Sequence, residues 1–118
     1  MTLEDLNHHR NLQISLEKAQ QRLQRLCEKD KDGALAVEID DYRSSVEELR
    51  REVQASAIEV ERFICSVKDP DLRLIFRLRF LRAMEWKEVA DYCGKYYSAR
   101  AISQRVYDWF FSQLDPDP

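Results

Sequence analysis

A chain of 118 residues makes about one domain, and with only two glycines and three prolines it leans strongly toward helix. Charged residues make up 35% of the chain against roughly 25% in an average soluble protein, so much of that helix must be solvated. The net charge of −3 argues against a general polyanion binder, but it averages unlike parts. Over residues 1–67 ten cationic side chains face fourteen anionic ones, whereas over residues 68–114 nine face six. No stretch approaches the ~18 continuous apolar residues of a membrane span, and MTLEDLNHHR lacks an apolar leader core. A soluble, cytoplasmic protein is expected.

Along the chain, apolar residues first recur at Leu12, Leu16, Ala19, Leu23 and Leu26, the alternating four-and-three step of a coiled-coil seam. Leu3 and Leu6 extend this helix upstream. The segment EKDKDG, residues 28–33, is charged, free of apolar residues and closed by Gly33, and reads as a turn. The seam resumes at Leu35, Ile39, Tyr42, Val46, Leu49 and Val53 and continues to Val67, with one irregular step near Ala57. A short connection makes the two helices antiparallel neighbours. Residues 1–67 therefore read as a long helical hairpin, a coiled coil. Ile14, Ile58 and Phe63 would stay wet in a lone hairpin, so a homodimer formed through it is expected, the alternative being a monomeric hairpin capped by the C-terminal helices.

The three cysteines, Cys27, Cys65 and Cys93, form no C-x-x-C pair and fall in apolar patterns, so each is expected as a small buried thiol. His8 and His9 point about 100° apart on a helix and lack partners for a metal site. At the N-terminus, in a segment expected to be mobile, they also leave no catalytic arrangement to assemble. Two glycines cannot build a phosphate loop. Neither enzyme chemistry nor a cofactor is expected.

Beyond Val67 the sequence VKDPDLRLIFRLRFL supplies Asp69 as a helix cap and Pro70 at the first helical position. Arg73, Arg77, Arg79 and Arg82 interleave with a wide apolar face. Their presence fits a solvated surface or contact with phosphates. Then comes EWKEVADYCGKYYSARAISQRVYDWF, residues 85–110. Val89 and Ala90 suit a close helix crossing, and Gly94 a residue leaving its helix with positive φ. Ser98 suits the cap of a second helix over 98–113, which packs inward through Ile102, Val106 and Trp109/Phe110. This is a helix-turn-helix pattern whose turn is two residues longer than usual, with Tyr96 or Tyr97 filling the apolar turn position. The outward face of its second helix offers Arg100, Gln104 and Arg105 to base edges in the major groove, while Lys87, Lys95, Tyr97, Ser98 and Arg82 suit the phosphate backbone.

The stretch DPDLRLIFRLRFLRAMEWKEVADYCG…ISQRVYDWF resembles the C-terminal module of small phage and prophage proteins related to sigma-70 region 4. The resemblance covers residues 69–110 and is carried by Leu72, Arg73, Leu78, Arg79, Phe80, Trp86, Glu88, Val89, Ala90 and Gly94. It implies a three-helix sigma-region-4-like helix-turn-helix module over 68–114, and with the long antiparallel helical hairpin read above an all-α fold is expected, with 115–118 a disordered tail. It also implies a transcriptional regulator of bacterial or phage origin that binds double-stranded DNA, with RNA polymerase as a further partner. Two other classes fit the same pattern. One is a phage packaging or assembly protein like a small terminase subunit. The other is a coiled-coil interaction adaptor with a degenerate helix-turn-helix.

Overall fold

The structure, a computed structural model, describes residues 1–94 and 97–114; Lys95, Tyr96 and the segment expected to form a tail lie outside them. It is all-helical, with no strand among the described residues. Helix α1 spans Leu3–Lys29. It starts where the Thr2 hydroxyl accepts the Asp5 amide (3.1 Å) while the Asp5 carboxylate accepts the Thr2 amide (3.0 Å). This reciprocal cap satisfies two otherwise orphaned donors. The connection that follows is shaped by carboxylates, since Asp30 accepts the Leu35 amide and Asp32 the Ala34 amide. Gly33 supplies the positive φ, +77°, that a residue with a side chain adopts only under strain.

Helix α2, Ala36–Ser66, returns alongside α1. The two run in opposite directions, because His9 meets Ser56 towards one end of the pair and Cys27 meets Arg43 towards the other. Within this pair the α2 seam splits into two rows. Ile39, Val46 and Val53 are buried, whereas Tyr42 and Leu49 are only half-buried, as are Leu12, Leu16, Leu23 and Leu26 on α1. A pair of helices covers each seam from one side only, and the other side stays partly wet. Ile58 is exposed as expected, at 59%, and Ile14 is half-buried. The cysteines depart from expectation. Cys27 and Cys65 are exposed and Cys93 is half-buried, because the first two sit just outside the covered side of their helices. Each of these two sulfurs faces an arginine instead, Arg43 and Arg77 respectively.

The remaining elements are short. Helix α3, Pro70–Phe76, is capped by Asp69, whose carboxylate accepts the Asp71 and Leu72 amides at 2.9 and 3.4 Å. It runs on into a wider, π-helical turn over Arg77–Leu81, where the Arg82 amide reaches back five residues to the Arg77 carbonyl. The Met84 amide then closes on the Leu78 carbonyl across Ala83, which takes φ +57°. Helix α4 spans Trp86–Cys93 and starts with a second reciprocal cap, between Glu85 and Glu88. Helix α5 spans Ala99–Leu114.

One core joins these pieces. Leu6 from α1 and Val60, Ile64 and Val67 from the end of α2 share a single cluster with Ile75, Phe76, Phe80, Val89, Ile102 and Val106. The core therefore runs across residue 67. Phe63, expected to stay wet, is drawn in: its ring lies 5.8 Å from those of Phe76 and Trp109 and stacks on Phe110 at 6.0 Å. The result is a packed head carrying an arm of two helices, with extents of 65 × 33 × 17 Å and a radius of gyration of 18.3 Å. A compact chain of this length would have roughly 13 Å.

A polar layer ties the arm to the head. His9, expected in an open N-terminal segment, is fully buried, and its Nδ1 lies 2.8 Å from the Ser56 hydroxyl. Arg10, 8% exposed, donates to Glu85 at 3.1 Å, and the Gln13 amide donates to the Leu81 carbonyl at 2.8 Å. Arg79 lies 4.3 Å from the centre of the Trp86 ring, donates to the Met84 carbonyl and comes within 4.0 Å of Glu85. Burial disfavours the Arg79 charge, and Arg10 adds to that, while Glu85 opposes both.

Candidate nucleic-acid interface

The candidate interface is the outer side of α5 and the segment leading into it. Gly94 ends α4 with φ +116°, and no atom lies within 4 Å of where its Cβ would stand. The glycine is required there by backbone conformation, not by crowding. The Tyr97 amide closes back on the Gly94 carbonyl at 3.1 Å, and the Ser98 hydroxyl accepts the Ala101 amide at 3.0 Å to start α5. Ile102, Val106 and Phe110 anchor α5 in the core. This spacing turns Arg100, Ala101, Gln104, Tyr107 and Asp108 outward, all exposed.

The proposed base-reading residues have different surroundings. Arg100 is exposed and forms no ion pair among the described residues. Gln104 is exposed, with its amide donating to Asp108 one turn on at 2.9 Å. Arg105 is half-buried at the flank and donates to Asp69 at 2.9 Å. Asp69 is held below the ordinary carboxylate value of 3.8: partial burial pushes it up, but the Asp71 and Leu72 amides and the Arg105 guanidinium together outweigh that. Of the backbone candidates, Lys87, Tyr97, Ser98 and Arg82 are all exposed, Ser98 already serving as a helix cap. Lys95 lies outside the described residues. Tyr97 and Arg105 come together with Asp71, Tyr92 and Cys93 at a small cavity of about 130 Å³. Burial pushes the Cys93 thiol up, with Asp71 adding to it and Arg105 opposing.

Three of the four interleaved arginines serve the fold. Arg73 donates to the Val67 carbonyl, Arg77 pairs with Glu61, and Arg79 covers Trp86. Of the four, Arg82 alone is exposed and makes no side-chain ion pair among the described residues. The Arg105–Asp69 pair had no sequence signal beyond opposite charge, because the partners are 36 residues apart. The outward position of Tyr107 was legible, since it follows from helical spacing once Val106 is placed inside.

Among the described residues no cluster of His, Cys, Asp or Glu could hold a metal ion, and no helix is long and apolar enough to cross a membrane. No protein-family model, curated protein or solved structure matches the chain.

Proposed function

We propose that this protein is a non-catalytic, DNA-binding transcriptional regulator of bacterial or phage origin. In this reading α3–α5 form a helix-turn-helix module of the sigma-70 region 4 kind. The paired helices α1 and α2 form a coiled-coil hairpin through which two copies associate. The observation that carries it is the division of α5. Ile102, Val106 and Phe110 hold the helix from inside, while Arg100, Ala101 and Gln104 stand exposed on its first two turns. Recognition helices use their N-terminal residues on base edges, which is where these side chains lie. Arg100 suits guanine and Gln104 suits adenine, each as a two-pronged donor or donor–acceptor. Lys87, Arg82, Tyr97 and Ser98 suit phosphates, with Lys95 expected beside them. RNA polymerase fits as a further partner.

The test is selection from a random pool of duplexes at low salt, with the retained DNA sequenced. Enrichment of a common site supports the reading. Absence of any enrichment sinks it. On the selected duplex, Arg100→Ala is expected to cost about 1–3 kcal/mol and relax the sequence preference at one position. Lys87→Ala is expected to weaken binding to all duplexes and lower the salt slope by about one.

A second reading is an interaction adaptor built on a degenerate helix-turn-helix. It is favoured by Arg105 and Gln104 already being engaged by Asp69 and Asp108. Salt-insensitive behaviour towards DNA, with no retention at low salt, distinguishes it.

A further inference from the structure

The arm carries two rows of charge that are unpaired among the described residues. On α1 the residues just before the seam positions Ala19, Leu23 and Leu26 are Lys18, Arg22 and Arg25, and Lys29 continues the row, stepping four, three, four along the helix. On α2 the residues just before the seam positions include Glu38, Asp41, Glu48 and Glu52. All eight are exposed, and none takes part in an ion pair among the described residues. The α2 arginines Arg43 and Arg50 pair elsewhere, with Asp40 and Glu47.

Helix geometry places both rows on one face. A residue one before the seam is turned about 100° from it. Because α2 runs opposite to α1, that turn leads to the same side of the pair. Between the rows lie Leu12, Ala19, Leu26, Tyr42 and Leu49, all half-buried. The face is thus an apolar strip with a basic margin on one side and an acidic margin on the other.

We propose that this face is covered by the same face of a second copy, and that the charge rows fix the dimer as parallel, with both heads at one end. Symmetry decides the orientation. A two-fold axis running along the arm lays α1 of one protomer over α2 of its partner, so each basic row meets an acidic row twice over. An axis across the arm, which would send the heads to opposite ends, lays basic row on basic row and acidic on acidic. Like charges set directly opposite disfavour that arrangement. A face that carries both signs beside an apolar strip is complementary to itself, which is why the occupant is this chain.

This deepens the self-association part of the function proposed above, and its corollary for DNA rests on that reading. Two heads at one end leave both α5 helices at the same end of the dimer, as binding to two half-sites on one duplex requires.

The dimer is tested without DNA. One variant reverses the basic row (K18E/R22E/R25E/K29E) and another the acidic row (E38K/D41K/E48K/E52K). By sedimentation, the wild-type chain is expected to dimerise, each variant alone to stay monomeric, and an equimolar mixture to recover a one-to-one heterodimer. Recovery also shows that both variants fold. A spin label on Cys27, with Cys65→Ser and Cys93→Ser and the charge rows intact, reads the orientation whatever the variants do. The labels of a heads-together dimer should lie well inside the roughly 40 Å length of α1. A monomeric wild-type chain, self-association of either reversed variant at wild-type strength, or labels separated by the length of the arm would each overturn the proposal. Loss of DNA selection with the dimer intact would count against the DNA reading alone.

Discussion

At the residue scale, the polar layer between arm and head is where the sequence hid most. His9 looked like part of a mobile end, yet it is fully enclosed, with Nδ1 on the Ser56 hydroxyl and Nε2 without a protein partner. Burial, then the neighbouring His8 charge, lowers its pKa below 6.5. The folded protein therefore binds this proton less readily than the unfolded chain. The stability His9 confers is complete above pH 6.5 and is lost as pH falls through the lowered folded value. Unfolding midpoints in denaturant should accordingly fall between pH 7 and pH 5, and His9→Gln should flatten that slope. Glu85 is a second such residue. It is the shared partner of Arg10 and Arg79, which are far more buried than Glu85 itself. Its own exposure screens the pair, so Glu85→Ala should cost only about 1–2 kcal/mol, mainly by leaving two enclosed guanidinium groups underpaired.

At the scale of elements, caps and breaks were legible and the turn geometry was not. Asp69 with Pro70, Gly94 and Ser98 all announce helix ends through chemistry local to the chain. The π-helical turn at Arg77–Leu81 announces nothing, because it depends on Ala83 accepting a positive φ to close Met84 onto Leu78. A left-handed alanine costs about 1–2 kcal/mol over glycine, while glycine's extra freedom in the unfolded chain returns about 0.4–1. Ala83→Gly should thus raise stability slightly, and Gly94→Ala should lower it by about 1–3 kcal/mol. Thermal melts of the two variants check both signs. The Arg105–Asp69 pair makes a prediction of the same scale about function. Asp69→Asn keeps an acceptor for the α3 cap but releases Arg105. It should tighten DNA binding if Arg105 is a reading residue, and leave it unchanged if Arg105 serves only to hold α3 to α5; titration of the selected duplex decides between them.

At the scale of the whole molecule, the all-helical class was readable from periodicity and from the scarcity of glycine and proline. What periodicity could not tell was where the arm stops. Leu6 lies upstream of the α1 seam on the same helix, and Val60 and Ile64 continue the α2 seam past one irregular step, yet all three belong to the head. Local spacing is blind to which partner covers a stripe. A fragment starting at Lys68 should therefore fail to give a cooperative melt, since Phe76, Phe80 and Ile75 would lose the wall that α1 and α2 provide. Removing residues 15–50 and joining the ends should be tolerated far better. That rooted arm also has a mechanical meaning. With Leu6 on one helix and Val60 and Ile64 on the other seated in the head's core, and Arg10 and Gln13 bonded to Glu85 and Leu81, both helices of the arm are rooted in the head. In the dimer proposed above, a twist applied where the two arms meet would be carried through both roots to the head and α5, so the arm would act as a lever rather than as a tether.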